Sequence, residues 1–489
     1  MDGCRVGLAR VDLTPTEAGA TMGWGPMGRT DAVPPTGDDQ RMFVTALALE
    51  DPAGERVVLL AADLHCGGLY LWRAAVDGCG LDPSRVVLCG THTHEGPGQR
   101  YGGLMYTLLA GPTPRSPWAS TRRLVPLVRE ASAQAVASLR PGGATVVRRD
   151  VLDVASNRAA PAWDHYDDAT RAGVIAHSPV PGDRPPADRM RDPRATVLIA
   201  RSDDGSVDAA LAWYAVHGTA LGSAWPEFGA DLWGFARTTA ERGGATVGFG
   251  GGSSGDISPL PLDATGAVRE PDDGRPGVQG RDLAETVGRR LGAEVAEAVA
   301  DAEVAPFTVS VAHELWEPRR SGLPAPLSGL ATAGGGVDGP TELWPQVATG
   351  VHAPLYGERR RNAHPASDGQ GPKIGVVHAY TGLPVPVGWL FGALAPRSLP
   401  LHTVRVGGHT FATVPGEPTT MTGARIEEAV SAATGGSASV IGFAGDYGGY
   451  WTTPEEYLEQ RYEGASTIFG RDSSTRLTER LAGLAATVR

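Results

Sequence analysis

VVLCGTHTHEGPG, residues Val86–Gly98, joins a buried strand to a loop capable of chemistry. Val86-Val87-Leu88-Cys89 is a short apolar run of the kind that fills the interior of a sheet. Gly90 breaks the run, Thr91-His92-Thr93-His94 follows, and Gly96-Pro97-Gly98 closes the loop with turn-forming residues. Residues two apart in an extended segment point to one side, so His92 and His94 are able to face one pocket. Two imidazoles at a strand end suit a metal ligand and an acid/base partner. Taken alone, the same pattern fits a surface turn, and the rest of the chain has to weigh the two.

Elsewhere in the chain, apolar runs also end in reactive residues. Leu211–Val216 runs directly into His217, and Thr410–Val414 leads through Pro415-Gly416 to Glu417. Val440–Phe443 is followed by Asp446, Tyr447 and Tyr450, and Val57–Asp63 by His65. Loops beyond strand ends are where a rigid sheet holds functional groups. Further strands are expected over Val6–Asp12, Phe43–Leu49, Val197–Ala200, Thr246–Phe249 and Phe307–Val311, with Thr403–Val406 and Thr410–Val414 as a hairpin around Gly407-Gly408. Leu283, Val287, Leu291, Val295 and Val299 recur every four residues and predict an amphipathic helix. Trp118–Leu139 (kinked or shortened by Pro126), Ile426–Ala433, Pro454–Thr467 and Thr475–Val488 read as helices too. The pattern predicts an α/β fold, a mixed β-sheet core with flanking helices and long Gly/Pro-rich loops. Pro318–Gly392 shows little periodicity and is expected to hold short strands and packed turns. With neither an internal repeat nor a charge-rich linker, residues 1–489 are expected to form a single domain.

A net charge of −12 and a pI near 5.5 argue against a nucleic-acid or anionic-membrane surface. No segment approaches the roughly 20 apolar residues of a membrane span, so no stable membrane insertion is expected. The N-terminus lacks a basic segment followed by an apolar one, and the four cysteines form no CxxC pair. A reducing, cytoplasmic setting is the expectation. Cys66 and Cys89 read as small buried residues rather than nucleophiles.

GTHTHEGPG, WYAVHGTAL, GDISP, VPGEPTTMTG and YGGYWTTPEEYLEQRYEGASTIFG occur in this order between residues 90 and 470. Together they resemble the signature segments of the neutral (non-lysosomal) ceramidase family, and Val6–Pro15 and the GGVDGP around Gly335 extend the likeness over nearly the whole chain. The resemblance implies the catalytic-domain fold of that family and a zinc-dependent amidase. It implies His92, His217, Glu417 and Tyr450 as ligands of Zn²⁺, with His94 working on the substrate. Arg158, in SNRAAPAW, and Tyr462, in QRYEGAS, match residues near the substrate carbonyl. Two imidazoles, a carboxylate and a phenolate are a donor set compatible with zinc, which acidifies bound water to a pKa of about 7. Gly23 and Trp24, Asp256 and Ser258, and Tyr447 are expected at the substrate; Trp24 and Trp163 serve equally as core.

The sequence departs from the family beside these positions. Glu95 stands where the family usually has a small hydroxyl residue, Leu260 follows GDISP where Asn is typical, and Pro418 follows Glu417 where an aromatic is usual. Gly448-Gly449 opens the aromatic segment and is expected to loosen it. The chain ends at Arg489, without the immunoglobulin-like C-terminal domain of secreted ceramidases, so a small soluble N-acyl amide or amphiphile is the expected partner. Hydrolysis by a metal-activated water is the expected reaction. Acyl transfer or amide synthesis at the same site, and non-catalytic binding of an amphiphile, are the rival expectations. Ser258 lacks the G-x-S-x-G elbow of a serine nucleophile.

Overall fold

The computed structural model describes residues 3–109, 111, 116–167, 170–171, 186–270, 273–340, 370–373 and 393–488. Its largest element is an eight-stranded sheet. In spatial order the strands are Val86–Gly90, Arg56–Ala62, Phe43–Glu50, Arg5–Asp12, Arg140–Asp150, Arg194–Ser202, Asp208–Tyr214 and Thr246–Gly251. The outermost pair at each end is parallel and the rest are antiparallel. Arg5–Asp12 meets Arg140–Asp150 over a short register, Arg5 opposite Pro141 and Val6 opposite Arg140. The sheet curls across that narrow joint, so that Arg10 Nη2 donates to the carbonyl of Val247 at 2.6 Å. A second sheet, in the order Val309–Trp316, Leu399–Val406, His409–Thr413 and Ser437–Ile441, lies against the first.

Strand periodicity assigns the two faces. Val58, Leu60 and Ala62 pack with the helices Leu69–Cys79 and Ser116–Ala137, whereas Val57, Leu59 and Ala61 face the smaller sheet. Ala210, Ala212 and Tyr214 pack toward Leu232–Ala240 and Arg281–Asp301, and Ala209, Leu211 and Trp213 face the smaller sheet. In that sheet Val404, Phe411 and Ile441 turn inward, while Leu401, Ala412 and Val440 meet the helices Thr420–Thr434 and Ser473–Ala485. The layers therefore run helix, sheet, sheet, helix. Each fully buried Val, Leu or Phe here contributes about 1.5–3 kcal/mol of transfer free energy.

Several differences from the sequence reading have plain causes. Leu232–Ala240 is buried almost all round, so it lacks the one-sided stripe that identifies a helix. Arg140–Asp150 is a strand hidden by its Pro-Gly-Gly start; a Cβ on Gly142 would collide with the Arg201 carbonyl oxygen across the ladder. Leu69–Cys79, a helix ending at a left-handed Gly80, was concealed in a short apolar segment. Pro126 lies inside a continuous helix, and Pro454–Thr467 divides at Gln460 (φ 50°) into Pro454–Glu459 and Tyr462–Ser466. Of the Pro318–Gly392 expectation, the structure supports a short pairing of Gly335–Gly336 with Gly339–Pro340; residues 341–369 and 374–392 lie outside the described residues. Among the described residues no helix is long and apolar enough to cross a membrane.

Candidate functional site

Three parallel strand pairs deliver their carboxyl ends to one place. Arg56–Ala62 and Val86–Gly90 lead to His65 and His92, Asp208–Tyr214 leads to His217, and His409–Thr413 leads to Glu417. Glu417 then pairs directly with Tyr450 in a two-residue parallel bridge, which sets the two side chains next to each other. Thr93 bridges Gly218, tying the two histidine loops together. His92 is held at φ 63° by a hydrogen bond from its N–H to Leu64 O, and its ring stacks 4.0 Å from Phe443.

His92, His217 and Glu417 offer ligand atoms that all lie within 4.8 Å of one another, fully buried. His92 Nδ1 faces the His65 carbonyl at 2.8 Å and His217 Nδ1 faces the Ser254 carbonyl at 2.7 Å. A carbonyl only accepts, so both Nδ1 atoms carry a proton, and in the neutral ring the lone pair is then on Nε2. These lone pairs point at a carboxylate: Nε2 of His92 lies 3.4 Å from Glu417 Oε1, and that of His217 lies 3.0 Å from Oε2. The second approach lacks hydrogen-bond geometry and leaves Oε2 without a partner. Tyr447 donates its hydroxyl to Oε1. Burial lowers the His92 pKa, which favours the neutral ring. Neutral imidazole lone pairs turned on an anionic carboxylate are mutually repulsive unless a cation lies among them. The donor set of two imidazole nitrogens and a carboxylate fits a divalent transition metal, with the Tyr450 phenol beside it.

His94 Nε2 is 3.2 Å from His92 Nε2, and its Nδ1 is buried with no partner. Burial first, then the neighbouring His92, keeps the His94 imidazole neutral well below its ordinary pKa. Gly23 backs directly onto this ring, and Trp24 meets it edge-on at 4.8 Å. The Trp24 indole is fixed by a 2.9 Å hydrogen bond from Nε1 to Glu95 Oε1, and burial next to Asp231 pushes the Glu95 carboxyl well above its usual pKa. The unusual Glu95 thus anchors Trp24.

Arg158 Nη2 donates to Tyr450 Oη at 2.8 Å and lies 3.5 Å from His217 Nε2. Asp338 and Glu463 grip the same guanidinium at 2.6 and 2.9 Å, and Gly255 O accepts from it at 2.8 Å. It is buried behind Tyr450 rather than open to the cavity. Tyr462 lines the cavity, its ring 5.3 Å from that of Tyr450.

A cavity of about 130 Å³ opens on these groups. Its described lining includes Gly23, Trp24, His65, His94, Glu417, Tyr447, Tyr450 and Tyr462, with Ser328, Thr332 and Ser466 supplying hydroxyls. Asp256 and Ser258 are not in this lining. Asp256 accepts from the Thr420 N–H and from Asn157, and Ser258 Oγ accepts from the Leu260 N–H, so both tie loops together. Trp163 packs with Tyr166 and Met421 in the core. Gly448-Gly449 is close-packed rather than opened: a Cβ on Gly448 would lie 2.9 Å from Trp451, and one on Gly449 (φ 83°) would overlap the Tyr106 hydroxyl. Cys89 is a buried thiol pushed up by burial to about 12.

The sequence reading left out Tyr101, Tyr106, Asp338 and Glu463, and gave His65 no role beyond its place after a strand. Tyr101 Oη bonds His65 Nδ1 at 2.7 Å, and the His65 ring lines the cavity. Asp338 lies in the quoted GGVDGP and Glu463 directly follows Tyr462, so proximity to a motif was the available signal.

Comparison with known proteins bears on the family and the fold. A family model described as neutral/alkaline non-lysosomal ceramidase, N-terminal, matches residues 4–265 and 284–478. The neutral ceramidase of Mycobacterium tuberculosis is 26% identical over 530 residues, covering 99% of this chain and 77% of that protein. The neutral ceramidase of Pseudomonas aeruginosa is 26% identical over 492 residues, with 95% and 69% covered. The same architecture occurs in a ceramidase solved in complex with C2 (TM-score 0.74, 23% identity, 99% of this chain and 75% of that one). The solved neutral ceramidase from Pseudomonas aeruginosa gives a TM-score of 0.72 at 22% identity, covering 99% and 74%.

Proposed function

The chain belongs to the neutral/alkaline non-lysosomal ceramidase family, and on that premise we propose that it hydrolyses a linear N-acyl amide at a zinc centre formed by His92, His217, Glu417 and Tyr450. The observation that carries this reading is the pair of imidazole lone pairs turned on the Glu417 carboxylate beside an aromatic cavity. A zinc ion there supplies a Lewis acid for the amide carbonyl and acidifies water. The chain's own residues do the rest. His94, neutral and facing the cluster through Nε2, takes the proton of the attacking water and hands it to the departing amine as the C–N bond breaks. Tyr462 lines the cavity where its hydroxyl meets the acyl oxygen, and Arg158 holds the Tyr450 phenol oxygen in place through a fixed guanidinium. Trp24, Tyr106 and Tyr447 form the apolar walls against which the acyl chain lies.

The test is a panel of N-acyl amides, N-acyl sphingoid bases included, incubated with the metal-loaded protein with and without added amines and followed by mass spectrometry. Release of free fatty acid and amine, abolished by His94→Ala with zinc retained at about one ion per chain, is the expected result. Protein that binds no divalent ion, or that turns over none of the panel while loaded, refutes the proposal. Acyl exchange onto the added amine in place of acid release would move the reading to acyl transfer.

A further inference from the structure

A groove of about 370 Å³ opens over the helices Leu69–Cys79 and Ser116–Ala137, away from the catalytic cavity. Arg73, Arg100, Arg122 and Arg129 line it, and Asp77 is the one acid among its described lining residues. Arg129 takes Asp77 at 3.1 Å. Arg73, Arg100 and Arg122 form no ion pair among the described residues. Other arginines do find carboxylates: Arg10 with Glu241, Arg41 with Asp12 and Arg149 with Glu297 are examples. In a chain of net charge −12 this is a local excess of positive charge.

The central guanidinium is also preorganised. Arg100 lies 4.3 Å over the Tyr70 ring and 5.4 Å from that of Trp118, and its Nε is buried with no hydrogen-bond partner. Stacking on two rings holds the planar fork still while leaving its donors unspent. Such a fork matches the oxygen spacing of carboxylate or phosphate; Arg100 and Arg122 face no carboxylate among the described residues, and with Arg73, whose charge also acts on the buried Asp446, they favour a dianion over a single carboxylate.

We propose that this groove is a binding site for a phosphate group, carried by a soluble phosphate ester or by the headgroup of an anionic phospholipid. The site is independent of the hydrolytic reading, yet it shares a stretch of backbone with the cavity. Arg100 turns to the groove, while the next residue, Tyr101, turns inward to His65.

Two probes distinguish the sources: inorganic phosphate titrated calorimetrically, and co-flotation with phosphatidylglycerol vesicles measured against phosphatidylcholine vesicles. Both use the whole 489-residue chain. Binding of either probe, weakened at least about tenfold in Arg100→Gln/Arg122→Gln by loss of charge-assisted hydrogen bonds, is the expected result. Phosphate alone binding identifies a soluble ester, and vesicles binding without free phosphate identifies the headgroup. Failure of both probes overturns the proposal, as does wild-type affinity in the double variant, which would place the phosphate elsewhere, at the metal centre for instance. Should the double variant melt earlier than the wild type, the exposed Arg73→Gln decides: reduced affinity supports the groove and unchanged affinity overturns it.

Discussion

Gly23→Ala tests the placement of the proton-transfer group without touching any proposed metal ligand. Gly23 has φ 107°, and a Cβ built on it would stand 2.6 Å from His94 Cγ, 2.7 Å from His94 Nδ1 and 2.9 Å from His65 Cδ2. Carbon contacts settle near about 3.5–4.0 Å, so the imidazole has to retreat by roughly 1 Å. A backbone conformation that L-residues rarely adopt costs about 1–3 kcal/mol in addition, felt as a lowered melting temperature. A displacement of roughly 1 Å in a group that must line up with its proton costs about 10²-fold in rate. The expected outcome is therefore a kcat about 10²-fold lower with zinc content unchanged, since His92, His217 and Glu417 stand on other segments. Steady-state kinetics against the best amide of the panel, with metal analysis of the same preparation, measures both. A variant with wild-type kcat would show that the close approach of Gly23 does not position His94. Loss of zinc together with activity would mean that the substitution had disturbed the metal centre instead.

Arg158→Gln leaves Asp338 and Glu463 buried without their cation, so urea unfolding should lose about 3–5 kcal/mol and turnover should fall with the metal retained; wild-type stability and kinetics would remove Arg158 from its bracing role behind Tyr450. Tyr101→Phe strips the partner from His65 Nδ1, and a stability loss of about 1–3 kcal/mol with a reduced kcat is expected, no change in either quantity counting against a positioned His65. The smaller sheet carries a pH response: burial, with His313 alongside, takes His402 down to about 3, so the unfolded chain binds a proton near about pH 6.5 that the folded protein refuses. The stability it contributes is complete above about pH 6.5 and drains by about 1.4 kcal/mol per pH unit as pH falls toward 3. His402→Gln, which can keep a donor toward Pro83 O, should flatten that acid limb in denaturant melts, and an unaltered slope would show that His402 does not set it.

Much of this molecule is written locally. A run such as Val57-Val58-Leu59-Leu60, apolar at every position, already requires a strand covered on both faces, and the structure covers it with helices on one side and a sheet on the other. His92, His217 and Glu417 were legible for a related reason: each follows an apolar run within a few positions, and the end of a strand is visible in the residues that end it, whereas Arg158 and Tyr462 entered only through the family resemblance. Distance was not legible. Glu417 and Tyr450 become neighbours through a two-residue parallel bridge, and Arg158 reaches Asp338 and Glu463 across far separate parts of the chain. Asp256 and Ser258 belong to as telling a motif as any, yet a turn of the loop spends them on Thr420, Asn157 and Leu260. The arginine groove was hidden by the same limit, because net charge sums over the chain and says nothing of where cations meet. Periodicity and chain-end chemistry are properties of neighbours in sequence, whereas a site is a property of neighbours in space, and only the packing of the two sheets brings those together.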